Sequence, residues 1–98
     1  MSFTTDYEFH LLKNEAEQMV LNELEQQLNA CGEETCRCSE CVLDMAAMAL
    51  NTVKPLYRFS LLGTLYAAQA IYEQSYADSV QDAVTNAIAK VGSNPAHD

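Results

Sequence analysis

Four cysteines fall within eleven residues, Cys31 to Cys41, spaced C-x4-C-x-C-x2-C, and the chain has no others. Thiols this close can bind a metal, pair as disulfides or stay free. Disulfides fit poorly: one residue separates Cys36 from Cys38, and any pairing closes a small, strained loop. Met1–Glu8 is polar and acidic with no apolar run, so it does not read as a secretory signal either. A metal fits well. Thiolates are soft ligands and four of them suit tetrahedral zinc; an iron–sulfur centre and free or oxidised thiols are the alternatives. Cys38-x2-Cys41 has the spacing of a zinc knuckle. Ser39 can cap the helix that follows, placing Cys41 in its first turn, where free N–H groups and the dipole favour thiolates. A zinc held by Cys31, Cys36, Cys38 and Cys41 has no open coordination position, so the expected role is structural. Cys31 stands apart from the tighter trio.

Around this knuckle the periodicity is helical throughout, with no strand pattern, internal repeat or low-complexity segment. Phe9, Leu12, Ala16, Met19, Val20, Leu24 and Leu28 recur in steps of three and four, predicting an amphipathic helix over about 6–28 that ends near Asn29 and Gly32. A second helix is expected from Ser39 to Val53, burying Val42, Met45, Ala46, Ala49, Leu50 and Val53. Asp44 suits its dipole and could support Arg37 or a cysteine amide; Asn51 could cap its end or read a ligand. Pro55 stops it. In the connection, Leu56 and Phe59 are expected to tuck in, leaving Tyr57 and Arg58 free. A third helix is expected over about 62–72, with Gly63 near its start and Leu65, Tyr66, Ala70 and Ile71 packing. A fourth over about 75–91 buries Val80, Ala83, Val84, Ala87, Ile88 and Val91, with Gly92 as C-cap and Pro95 beyond. The third and fourth could run together near Gln74. Tyr66, Tyr72 and Tyr76 read as core edge or interface, and His10 as a surface residue. The expected architecture is all-α: a single domain over 1–98, a small bundle of about four helices with its core at about 6–92, loose termini and zinc at the start of the second helix.

Charge narrows the partners. The 98 residues carry a net charge of −9, from fourteen acidic and five basic side chains. Extended nucleic-acid binding needs many phosphate contacts and is not expected. No apolar run approaches the roughly 18 residues of a membrane span, so a soluble, cytoplasmic protein is expected. Of the five basic residues, Arg37, Lys54 and Arg58 lie in the central stretch and only Lys13 and Lys90 outside it. Cations beside thiolates can simply balance charge, or they can draw a phosphate to this one place. Arginine suits bidentate phosphate recognition, and tyrosine or arginine can stack on a base. No nucleophile with a base, His/Glu metal motif or phosphate-gripping glycine loop is present, so an enzyme is not expected.

The central motif, Cys36-x-Cys38-x2-Cys41-x2-Asp44, then Ala47-x-Ala49-Leu50-Asn51, then Pro55-x-Tyr57, resembles the signature of the late competence protein ComFB family. Asn14-Glu15-x-x-Gln18-x-Val20 is similar to that family's first helix. Gly63-x-Leu65-Tyr66, Ala83-Val84-x-x-Ala87-Ile88 and Asn94-Pro95 resemble its C-terminal half, so the likeness spans roughly 11–95. The chain departs from the pattern at Lys54-Pro55-Leu56, where the family usually has Pro-Pro before the aromatic, and in the additional Cys31. The resemblance implies a link to bacterial competence and, from cyanobacterial members, a receptor for a cyclic dinucleotide (c-di-GMP or c-di-AMP). On that reading Arg58 and Lys54 pair with phosphate, Tyr57 stacks on a base, and Arg37 is held beside the site by the knuckle, with Asn51 a further candidate. A homodimer presents each residue twice about its axis, matching the near two-fold symmetry of such a ligand. The alternative is a zinc-stabilised dimeric adaptor that binds other proteins and no nucleotide.

Overall fold

Asn14 sets where the first long helix begins. The computed structural model describes residues 2–60 and 73–94, with Leu65 and Gln69 between them. Among these, α1 is a single short helix, Phe3–Asp6, followed by a 3-10 turn at Phe9–Leu11. Helix α2 spans Glu15–Ala30, α3 Ser39–Thr52 and α4 Gln74–Ser93. Lys13–Asn14 (β1) and Tyr57–Arg58 (β2) form a two-residue antiparallel pair in the register Lys13↔Arg58, Asn14↔Tyr57.

The helix expected over 6–28 therefore starts nine residues later. Asn14 is extended (φ −102°, ψ 103°), and its side-chain oxygen accepts from the Ala16 amide at 3.2 Å, an N-cap that breaks the chain's direction. Glu15 and Glu17 in the first turn complement the dipole. Phe9 and Leu12, read as part of the buried stripe, are exposed; Phe9 instead meets Phe3 and Tyr7, with ring centroids 5.4 and 6.0 Å away. The strand pair, which no sequence pattern announced, is the other departure from a purely helical reading.

Burial in α2 follows one i, i+4 row: Ala16, Val20, Leu24 and Leu28. Helix α3 buries Cys41, Met45, Ala46 and Ala49, with Val42 and Leu50 packed at the edge and Val53 buried just beyond its end. Helix α4 buries Tyr76, Val80, Ala83, Val84, Ala87 and Val91, with Ile88 at the edge. These rows meet in one core, in which α3 and α4 share the largest interface. Ala46, Ala49, Ala83 and Ala87 keep the facing surfaces low, so that ridges of one helix can enter grooves of the other.

Several boundaries correct the sequence reading. The cap of α3 is Cys38, not Ser39: its sulfur accepts from the Cys41 amide at 3.4 Å, three residues on, where an N-cap acceptor belongs. Asn51 lies inside α3, and the cap is Val53, whose amide donates to Ala49. Gly92 lies inside α4, which continues one residue further to Ser93 and closes through the Asn94 amide on the Lys90 and Val91 carbonyls. Glu73 is extended (φ −80°, ψ 129°), so α4 starts afresh at Gln74 and does not run on from a preceding helix there. Phe59, expected to tuck in, is exposed, whereas Leu56 is buried. Leu65, expected to pack, is helical and exposed. Gln69 is likewise helical and exposed; the other residues of the helix expected over 62–72, with Gly63, Tyr66, Ala70, Ile71 and Tyr72, lie outside the described residues, as do Pro95 and His97.

Candidate metal centre and the strand clasp

The knuckle is built from the core outwards. Cys41 sits in the first turn of α3 and is fully buried; Cys36 is half-buried in the approaching loop; Cys38, between them, faces solvent. One ligand atom from each lies within 4.8 Å of the other two, and these three thiols can hold a metal ion. In a tetrahedral thiolate site, bonds of about 2.3 Å put sulfurs about 3.8 Å apart. The trio therefore needs only a small contraction, and the donor set fits a soft, thiophilic ion. Local donors already favour anionic sulfur. The Cys38 backbone amide, then the Cys38 and Cys41 thiols, hold the Cys36 thiol below its ordinary value against the opposing effect of burial.

Cys31 lies outside this trio. Its backbone is committed elsewhere: it caps α2, its amide donating to Leu28 at 3.2 Å and its carbonyl accepting from Arg37 Nη2 at 3.0 Å. Arg37 thus joins the two ends of the 31–37 loop, and it borders an apolar cavity of about 290 Å³ with Leu21, Leu24, Leu28 and Val42. Asp44, read as support for Arg37 or a cysteine amide, is exposed and borders a different cavity, with Met48, Asn51, Lys90 and Asn94.

A second site lies where the segment after α3 meets the start of α2. Asn14 Oδ1 accepts from the Leu56 amide at 2.8 Å as well as from Ala16, and the Glu15 amide donates to the Leu56 carbonyl at 2.9 Å. The Tyr76 hydroxyl donates to the Lys54 carbonyl at 2.7 Å, and its burial raises the phenol above its ordinary value. This clasp corrects the expectation that Arg58 is free: Arg58 Nε is paired with the Glu15 carboxylate. Pairing of β1 with β2 carries a first-turn acid of α2 onto the guanidinium. Arg58, Lys13, Asn14, Glu15, Glu17 and Gln18 line a cavity of about 490 Å³. Tyr57 is 62% exposed and Lys54 is exposed, and neither lines this cavity. Within one chain the five candidate ligand residues do not converge, since Arg37, Asn51 and Arg58 border three separate cavities.

Sequence reasoning missed Lys13, Asn14 and Glu15 as partners of this site. An N-cap signal was present, Asn14 followed by Glu15 and Glu17, but strands of two residues leave no periodicity to read.

The family model for late competence development protein ComFB matches residues 13–95. The chain belongs to the ComFB family. The match takes in the knuckle, the clasp and helices α2 to α4, and leaves the N-terminal aromatic arm of Phe3, Tyr7 and Phe9 outside. Among solved structures, the chain is similar to the late competence protein ComFB from Bacillus subtilis, with a TM-score of 0.68 at 22% identity over 87% of this chain and 92% of that one. No curated relative matches the chain. Among the described residues no helix is long and apolar enough to cross a membrane.

Proposed function

We propose that this ComFB-family chain is a non-enzymatic regulatory protein that binds a cyclic dinucleotide and is stapled by a structural zinc. Supporting the zinc is the Cys36, Cys38, Cys41 trio at a helix start, with Cys31 in the same loop as the fourth ligand. The observation that carries the ligand reading is the β1–β2 register. It sets Lys13 directly opposite Arg58 at a cavity of about 490 Å³, next in sequence to the exposed Tyr57. Like charges directly opposite each other in a ladder are destabilising. In a chain of net charge −9 with only five basic residues, two of them occupy facing positions. Glu15 offsets part of that cost from within the chain, and such a concentration of positive charge is where an anion would be bound. Lys13 and Arg58 serve one phosphate, Lys54 adds field strength, and Tyr57 offers a face to a base.

A homodimer doubles this set for a ligand with two phosphates. Its support is the shape of the single chain. The radius of gyration is 15.7 Å, against about 13 Å for a compact domain of this length. Phe3, Tyr7, Phe9, Leu11 and Leu12 are all exposed.

The test is calorimetric titration of metal-loaded protein with c-di-GMP and, separately, c-di-AMP. Micromolar binding of either, lost in Arg58→Ala and weakened in Lys13→Ala with metal content unchanged, supports the receptor. Heat with neither ligand leaves the adaptor reading, which the apolar cavity of Leu21, Leu24, Leu28 and Val42 favours as a place for a protein partner.

A further inference from the structure

Arg58 is the guanidinium a phosphate needs, and in this chain a carboxylate already occupies it. The pair is partly open to solvent: the Arg58 side chain is 37% exposed and that of Glu15 28%. Glu15 is also fixed from behind, since its amide donates to the Leu56 carbonyl and its neighbour Asn14 holds the Leu56 amide. The backbone that carries the carboxylate is therefore held in place, and the carboxylate itself is held by Arg58. Lys13 faces Arg58 across the ladder, so Glu15 neutralises part of an otherwise unfavourable cation pair.

We propose that Glu15 is an internal anion that competes with the ligand for Arg58, an autoinhibitory contact built into the clasp. The inference rests on the receptor reading above and adds to it a regulatory residue. An arriving phosphate takes over the guanidinium, and Glu15 is displaced towards solvent at the cavity mouth. Affinity is thereby set by an exchange of anions rather than by phosphate binding alone. Ligand occupancy is read out as release of the Glu15 side chain from Arg58.

The experiment compares wild type, Glu15→Gln and Glu15→Ala for binding of c-di-GMP and c-di-AMP at fixed salt. Asp82→Asn, an exposed change on α4 that removes the same charge elsewhere, is the control. Far-UV circular dichroism and metal content verify each fold. Glu15→Gln is expected to tighten binding up to about five-fold, the range of a solvent-screened ion pair, and Glu15→Ala at least as much. Asp82→Asn should move it far less. Binding by the Glu15 variants alone, with wild type silent, supports the same conclusion. If wild type binds and Arg58→Ala abolishes binding, yet both Glu15 variants bind equally or more weakly, the autoinhibitory role is overturned and the receptor stands. If neither wild type nor any folded Glu15 variant binds, receptor and gate fall together.

Discussion

The knuckle and the clasp sit at opposite ends of α3 and are made in opposite ways. The knuckle takes three thiols from six consecutive residues, Cys36 to Cys41, and its geometry follows from one helix start. The clasp joins residues more than forty positions apart, as in Leu56 to Asn14 and Arg58 to Glu15. It does so through two-residue strands and single hydrogen bonds. A local site can depend on one ion and survive distortion elsewhere. A long-range site holds only while the elements that carry it stay docked. The two should therefore fail differently when cut.

The largest effect is expected at the knuckle. Cys41 is both a ligand candidate and a fully buried core residue, so Cys41→Ser is expected to abolish metal binding at the trio and places a hydroxyl in the core. The loss should reach about 3 kcal/mol or more, which at about 4–8 °C per kcal/mol lowers Tm by at least about 12 °C. Chelator should have a comparable effect on wild type and little on the variant. Cys31→Ser separates the two ligand sets: it should keep the metal at equimolar loading with weaker affinity if Cys31 is the fourth ligand, and change nothing if it is not. Metal analysis with thermal melts decides both. In metal-free protein, the Cys36 thiol is held low, so it should alkylate at lower pH than a cysteine in an unstructured peptide.

At the clasp, Asn14→Ala removes two hydrogen bonds, the α2 cap and the Leu56 tie. A cost of about 1–3 kcal/mol is expected in urea unfolding, with metal content intact. Asn14→Asp keeps the one oxygen that accepts both bonds and should recover most of it. If Asn14→Ala instead releases the metal, the two sites are one cooperative unit and the contrast between them collapses.

How far each site could be read from sequence follows from the same contrast. The thiol spacing led directly to the trio, and the i, i+4 rows of α2 and α4 led to Val20, Leu24, Val84 and Val91 in the core. What failed were questions of end and direction. Phe9 and Leu12 continue the apolar spacing of α2, yet Asn14 turns the chain, because one cap outweighs a pattern that extends past it. Cys38 took the cap from Ser39 because a thiol three residues before an amide serves as acceptor as well as ligand. Arg58 looked free because nothing near it in sequence is acidic; its partner arrives from position 15 by strand pairing.

Tyr76 tests the clasp from the α4 side. Tyr76→Phe removes its bond to the Lys54 carbonyl, at an expected cost of about 1 kcal/mol. The pH dependence carries a sign. Burial raises the folded phenol above the unfolded value of about 10. The stability it contributes is thus fully present below pH 10 and is lost as pH rises through the folded value. The Phe variant should be less stable than wild type at pH 8, and the gap should narrow on further alkalinisation. A gap that widens with pH places the phenol's role elsewhere.

The smallest effect is expected where neither site reaches. Gly92 lies in the last turn of α4, and a Cβ built there meets nothing within 4 Å. Alanine removes backbone freedom from the unfolded chain without a clash, so Gly92→Ala should stabilise by up to about 1 kcal/mol, less if the helix end frays. Metal affinity and nucleotide affinity should not move, because the gain comes from the unfolded state and touches no ligand. The variant thereby separates global stability from the two sites. If it also tightened metal or nucleotide binding, both sites would be reporting the stability of the whole helical core, and neither the locality of the knuckle nor the reach of the clasp would explain its behaviour.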